Sequence, residues 1–497
     1  MTNPVIVGAN ARGEQVQLFP RMANRHGLIA GATGTGKTIT LQVLTEGFSD
    51  LGVPVFLVDV KGDLSGLAAP GKEHPKVAER IAKIGLQEHG FSDYPVQFWD
   101  VFGEDGTPAR TTILDMGPVL IAHLLDLNET QAGVLSIAFA VAEDRKLPLL
   151  NLQDLRSMLS WLADNTAEAG KNYGRVSPQS IGAIQRRLLT LSDAGGDTFF
   201  GEPALQIAEF MRCDSAGRGV INILSGNKLI LNPSVYSSFL FWLLTELFET
   251  LPEAGDLEKP KLVFFFDEAH LLFDAAPKAL VDRIEQVVRL IRSKGVGIYF
   301  ITQNPGDIPE DVLGQLGNRI QHALRAFTPK DQKAVRVAAE TFRPNPEVDV
   351  KRAIAEMGVG EALVSVLDEQ GIPTPVEQTL VSPPRSQIGP LAAERKAELI
   401  DSSDMQAKYK HTLDSESAHE LLLARQQQKQ NAEAVAAAAA AQQQEREPQK
   451  NKPKPRGRSR QGYAETLGKS VLRSLGSRIA RQLVKILMSL FSGKGRG

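Results

Sequence analysis

Eight residues, GATGTGKT at positions 31–38, constrain this chain more than any other feature. Gly31, Gly34, Gly36, Lys37 and Thr38 have the spacing of a phosphate-binding loop, with Ala32, Thr33 and Thr35 completing it. The glycines let the backbone curl until successive N–H groups converge on phosphate oxygens. Lys37 has the reach for β- and γ-phosphates, and the Thr38 hydroxyl is an oxygen ligand of the kind Mg²⁺ takes. The helix expected from about Lys37 points the positive end of its dipole at the same anion. Leu28-Ile29-Ala30 reads as a short buried strand before the loop, and ITLQVLTEGF after it has helical spacing. A glycine-rich surface turn needs neither flank. The expected cofactors are ATP and Mg²⁺.

Hydrolysis requires more than a loop: a carboxylate near the metal and a group that orients the attacking water. KLVFFFDEAH (261–270) supplies both. Five apolar residues, Leu262 to Phe266, suit a strand buried on both faces. Asp267 then falls at its carboxyl end, where parallel sheets place ligands. Asp267 is expected to hold Mg²⁺ through water, and Glu268 to polarise the nucleophilic water. Two other strands end on polar residues. VFLVDVKGDLSGL puts Asp59 after an apolar run, with Lys61 and Asp63 in the turn, and makes Asp59 a candidate outer contact to metal or water. IYFITQN puts Gln303 in position to sense the γ-phosphate or steady the water.

From His26 to about Pro390 the pattern alternates strands and helices, as parallel α/β units do. Strands are expected in 53–60, 219–224, 261–267 and 296–302. Helices dominate between about 112 and 250, so this stretch reads as a helical lobe inserted in the core. Asn128 with Gln131 has capping-box spacing. Ser177-Pro178 and Asn232-Pro233 read as helix starts. Residues 391–425 read as polar helices, 426–462 as a low-complexity Ala/Gln tract followed by a basic, proline-broken linker, and 463–492 as a basic amphipathic helix.

At this point GATGTGKT, VDVKGDLSGL, FFFDEAHLLF, YFITQNPGDIP and GNRIQHALR, in this order, resemble the FtsK–HerA superfamily of P-loop ATPases, with the uncharacterised bacterial HerA-like proteins of the YjgR type most similar. The likeness covers about residues 1–390. It implies an α/β fold with a RecA-like core, a mainly parallel sheet, hexameric rings and ATP-driven movement of double-stranded DNA. It also implies an arginine finger acting in the neighbouring subunit's site, a role that falls to Arg319 in GNRI with Arg325 as the alternative. One part of the pattern is not matched. HerA proteins carry an N-terminal β-barrel that docks a nuclease, whereas only some 25 residues lead up to the phosphate loop here, too few for a barrel, so coupling to a nuclease is not among the expectations.

Charge adds a separate signal. Residues 450–497 hold 13 Lys and Arg against a single acidic residue, Glu465, a balance of +12. The rest of the chain is at −14, which brings the total to −2. A basic tail on an acidic body is expected to meet an anionic surface, a membrane or nucleic acid, or to dock a protein partner. On the apolar stripe of residues 466–491, the tail either lies on an anionic membrane or docks on its own body. One cysteine, Cys213, excludes an intramolecular disulfide and favours a reducing compartment. With no signal peptide and no long apolar run, a cytoplasmic protein, at most peripheral to the membrane, is expected. Three functions fit: a ring motor on DNA, an ATPase that remodels or exports something else at a membrane, and a nucleotide-switched scaffold. Glu268, Gln303 and Arg319 argue against the third, because a pure switch needs no complete hydrolytic set.

Overall fold

The computed structural model describes residues 3–86, 89–273, 278–325 and 328–446. The expected tail elements in 450–497 lie outside the described residues. The chain divides into two compact units, Met1–Gln426 and Gln427–Gly497. The first is built on one sheet of 12 strands. In chain order these are β1 (Val5–Asn10), β2 (Gln15–Leu18), β3 (Gly27–Ala30), β4 (Val55–Asp59), β5 (Val96–Asp100), β6 (Thr107–Pro108), β7 (Ile221–Ser225), β8 (Leu262–Phe266), β9 (Val296–Thr302), β10 (Asn318–His322), β11 (Glu361–Ser365) and β12 (Glu377–Val381). Their spatial order is β2-β1-β12-β11-β10-β3-β9-β8-β4-β7-β5-β6. The run from β10 to β6 is parallel, while β2, β1, β12 and β11 add an antiparallel wing.

The α/β class with a mainly parallel sheet is what the structure has, and the reason is visible in β8. Its five residues are all buried, and they alternate faces with the pleat. Phe264 and Phe266 join the core under the helical lobe, Phe264 tilted against Phe56 and Phe266 stacked on Phe300 at ring separations of 4.9 and 5.7 Å. Val263 and Phe265 join the opposite core, where Phe265 lies 5.1 Å from Tyr299 and 6.3 Å from Phe48. Phe48 belongs to the helix Lys37–Asp50, which lays Leu41, Leu44 and Phe48 on that face. A strand covered on both sides tends to be a continuous apolar run, which is why β8 was legible from the sequence.

Much of the stretch 112–250 forms a helical lobe. Helices Ile113–Leu124, Glu129–Asp144, Leu152–Asp164 and Pro178–Leu191 form it. Within 112–250 the chain also returns to the sheet as β7, between β4 and β5, before the helix Pro233–Thr250. The Asn128–Gln131 capping box is formed. Ser177 stands at its helix start with Pro178 just inside, yet its side chain makes no capping bond. Residues 391–426 belong to the first unit rather than to a separate extension. Met405 and Tyr409 are buried there, and the Arg110 guanidinium donates to the Tyr409 carbonyl at 2.6 Å. A helix of 29 residues, Ala418–Arg446, carries the Ala/Gln tract. No helix among the described residues is long and apolar enough to cross a membrane.

Candidate functional site

The parallel strands bring the singled-out residues to one edge of the sheet. Strand β9 lies between β3, which feeds the phosphate loop, and β8, which feeds Asp267. Register puts Ala30 beside Thr302 and Phe266 beside Phe300. The next residues along, Gly31, Gln303, Asp267 and Glu268, therefore emerge side by side at the carboxyl ends.

The loop itself is built as its composition requires. Gly34 and Gly36 have φ of 77° and 119°, in the region that favours glycine. Gly36 is the N-cap of Lys37–Asp50, and no side chain caps that helix. Its first N–H groups are left facing the loop, as an anion site needs. Lys37 is buried, at 7% exposure, and its ammonium donates to the Gly31 and Ala32 carbonyls at 2.5 and 3.1 Å. Burial first, and the charge of Lys61 second, lower its pKa, while Glu268 and Asp267 work the other way. A cleft of about 220 Å³ opens here, lined by Gly36, Lys37, Thr38, Lys61, Asp63 and Asp267 among others.

Asp267 accepts the Glu268 N–H at 3.0 Å, and Tyr236 donates its hydroxyl to the Asp267 carbonyl at 2.7 Å. Burial, then the neighbouring Glu268 charge, push its carboxyl up to about 6. Two crowded acids and the Thr38 hydroxyl beside a phosphate cradle form a donor set that fits Mg²⁺, which takes one or two carboxylates and completes its shell with phosphate and water. Glu268 has φ of 48°, a left-handed backbone uncommon outside glycine. Gln303 Nε2 donates to both its carboxylate oxygens at 3.3 Å, and Thr33 Oγ1 lies 3.5 Å from Gln303 Oε1. The loop, Gln303 and Glu268 are thus one connected polar chain.

Two expectations are corrected. Asp59 does not face the cleft as a free carboxylate: it accepts N–H bonds from Gly62, Asp63 and Leu64 at 2.8, 3.2 and 2.9 Å and serves to shape the turn. Arg319, expected to be the finger, sits near the amino end of β10, paired with Leu28 rather than with the loop. Its Nε, Nη1 and Nη2 donate to the carbonyls of Leu316, Thr341 and Leu313 at 3.0, 2.8 and 3.0 Å. A guanidinium held this way holds its own chain together. Arg319→Ala is therefore expected to destabilise the fold by roughly 2–4 kcal/mol, since three carbonyls lose a charged donor; denaturant titration of the variant checks this, and an unchanged midpoint would contradict it. Arg325 lies beyond the carboxyl end of β10, is exposed, and makes a bond to the Ala355 carbonyl at 3.2 Å.

The structure adds residues that the sequence reading passed over. His322, the last residue of β10, is fully buried behind the loop. Its Nδ1–H donates to the Glu361 carbonyl and its Nε2 accepts from the Thr40 hydroxyl, both at 2.9 Å. Burial, the largest cause, together with the Lys37 charge brings its pKa down to about 4. Between pH 6.5 and 4 the unfolded chain takes up a proton that the folded ring refuses, so stability falls as pH falls through that window. The loss is on the order of 3 kcal/mol at pH 4. Melting curves should show a shallower acid decline in His322→Gln than in the unaltered protein; parallel declines would contradict the assignment. The one hint in the sequence was that His322 closes the GNRIQH segment. His270, 3.5 Å from Glu268 Oε2, was likewise visible only as the neighbour of a noted carboxylate.

With this geometry in hand, comparison with known proteins is decisive about ancestry. A family model described as Helicase HerA-like C-terminal matches residues 5–496. The chain belongs to that family. Among curated proteins, this HerA-like chain is 21% identical over 362 residues to the DNA double-strand break repair helicase HerA of Saccharolobus solfataricus, covering 72% of this chain and 64% of that one. It is 30% identical over 349 residues to a protein of Methanocaldococcus jannaschii named as a probable helicase, covering 69% and 60%. The HerA-like chain thus spans less than two thirds of the length of these relatives. Among solved structures, it is similar in fold to the plasmid coupling protein TrwB in complex with a non-hydrolysable ATP analogue, with TM-score 0.51, 15% identity and coverage of 79% and 98%. VirB4 of Thermoanaerobacter pseudethanolicus is similar in fold to the same degree, with TM-score 0.51, 15% identity and coverage of 77% and 97%.

Proposed function

We propose that this HerA-like chain is a Mg²⁺-dependent ATPase that works as a ring, a hexamer, and drives double-stranded DNA as a translocase or helicase. One observation carries the ATPase reading: Glu268, bonded through Gln303 to the phosphate loop, adjoins Asp267, which lines the cleft of about 220 Å³ beside the loop. A site that only bound nucleotide would need the loop and no buried water-activating carboxylate. Gly31 to Thr38 would cradle the phosphates, Lys37 would neutralise their charge, and Thr38 and Asp267 would hold Mg²⁺. Bound there, the metal supplies charge stabilisation at the phosphates. Glu268 orients and polarises the attacking water, and Gln303 holds the Glu268 carboxylate toward it. The finger role passes to Arg325, which is exposed on the same edge as the loop.

The DNA part is supported by the names of the curated relatives. It is tested by phosphate release with and without linear duplex DNA at two salt concentrations. Stimulation that fades with salt is expected, because phosphate contacts are lost as counterions compete. A rate indifferent to DNA would overturn the DNA motor and leave an ATPase acting on something else. Mixing Lys37→Ala with Arg325→Ala protein should restore part of the activity that each lacks, since one mixed interface pairs an intact loop with an intact finger. The basic tail serves as a docking device for an anionic partner: removing 450–497 should leave basal hydrolysis near normal and weaken binding to anionic liposomes or duplex DNA.

A further inference from the structure

One lysine of the cleft, Lys61, has no part in the proposed hydrolytic set. Lys61 stands in the turn after β4, and that turn is held rigid by the three N–H bonds to Asp59. It lines the same cleft as Gly36, Lys37, Thr38 and Asp267. Its ammonium is 3.9 Å from Glu268 Oε1, close enough for Coulomb attraction and too far for a hydrogen bond. The Lys61 side chain is 43% exposed, whereas that of Glu268 is 8% exposed. A half-solvated ammonium attracted by Glu268 at 3.9 Å and by the neighbouring Asp267 charge, with no hydrogen bond to Glu268, is weakly held, so it can change partners at little cost. Lys61 also faces Lys37 across the cleft, and the two like charges disfavour each other. An anion placed between them would relieve that repulsion.

We propose that Lys61 reads the terminal phosphate of a nucleoside triphosphate. When a γ-phosphate enters, Lys61 leaves Glu268 for a phosphate oxygen, placing a second cation there and freeing the Glu268 carboxylate for water. A diphosphate has no oxygen at that point, so Lys61 stays with Glu268. The chain thus carries its own triphosphate discriminator, linked directly to the hydrolytic carboxylate. This rests on the nucleotide-site reading above.

The test is calorimetric binding of ADP and of a slowly hydrolysed ATP analogue, with Mg²⁺, to the full chain and to Lys61→Met and Lys61→Arg. Lys61→Met should lose roughly ten- to a hundredfold in affinity for the triphosphate, the range for a hydrogen bond to a charged group, while ADP affinity stays the same. Lys61→Arg should keep most of the discrimination. Glu268→Gln, which removes the competing partner, should tighten triphosphate binding only while Lys61 is present. Equal losses for both nucleotides, or none, with an unchanged melting temperature, would overturn the proposal and leave Lys61 a solvated surface charge. Failure of the unaltered protein to bind either nucleotide would instead overturn the nucleotide site itself.

Discussion

Lys37→Ala is expected to bring ATP turnover down by at least about 10²–10³-fold, the cost of removing one preorganised charge-stabilising donor from a phosphoryl-transfer site. Lys37 is the buried cation of the loop, and it also ties down the loop through the Gly31 and Ala32 carbonyls. Alanine removes both the charge and that tie. Phosphate release at saturating ATP measures the first effect, and melting temperature separates it from unfolding, because the rest of the Lys37–Asp50 helix keeps its Leu41, Leu44 and Phe48 packing. Turnover within tenfold of the unaltered protein would sink the assignment of this loop as the hydrolytic site.

Glu268→Gln should behave differently: ATP still binds, and hydrolysis falls by ~10²–10⁴, the usual worth of a positioned general base. Glutamine keeps the shape and one acceptor for Gln303 Nε2, so the polar chain to Thr33 survives in part. What disappears is the negative charge proposed to polarise water, which also pairs with Lys61. Single-turnover kinetics, with binding measured separately, distinguishes lost chemistry from lost affinity. If this variant hydrolyses ATP at the normal rate, the water is activated by some other group and the role given to Glu268 is wrong.

The phosphate loop was readable because its chemistry is local. One turn of backbone, three glycines, a lysine and a threonine make the cradle within eight consecutive residues, 31–38. Strand β8 and Asp267 were readable because double-sided burial demands an unbroken apolar run, and the first polar residue marks its end. The antiparallel wing was harder to see. Strands such as β12, where only Thr379 and Val381 of Glu377–Val381 are buried, mix polar and apolar residues. The polar strand β10 was missed for a related reason: Asn318, Gln321 and His322 are buried, yet each finds hydrogen bonds inside the protein. Sequence pattern counts such residues as surface, because a buried polar group is tolerable only when a specific partner waits for it.

The sequence by itself determined which chemistry the chain can perform, since the groups of the loop and the acid pair act where they are strung. Only the tertiary structure decided how distant segments meet. The choice between Arg319 and Arg325 turned on register: Arg319 lies near the amino end of β10 and Arg325 beyond its carboxyl end, so parallel pairing with β3 leaves the first against its own chain's carbonyls and the second at the edge that carries the loop. The insertion of β9 between β3 and β8 set Gln303 against Glu268, and the Asp59-shaped turn set Lys61 against the same carboxylate. Sheet order is settled by packing between faces far apart in the chain, and no local spacing encodes it.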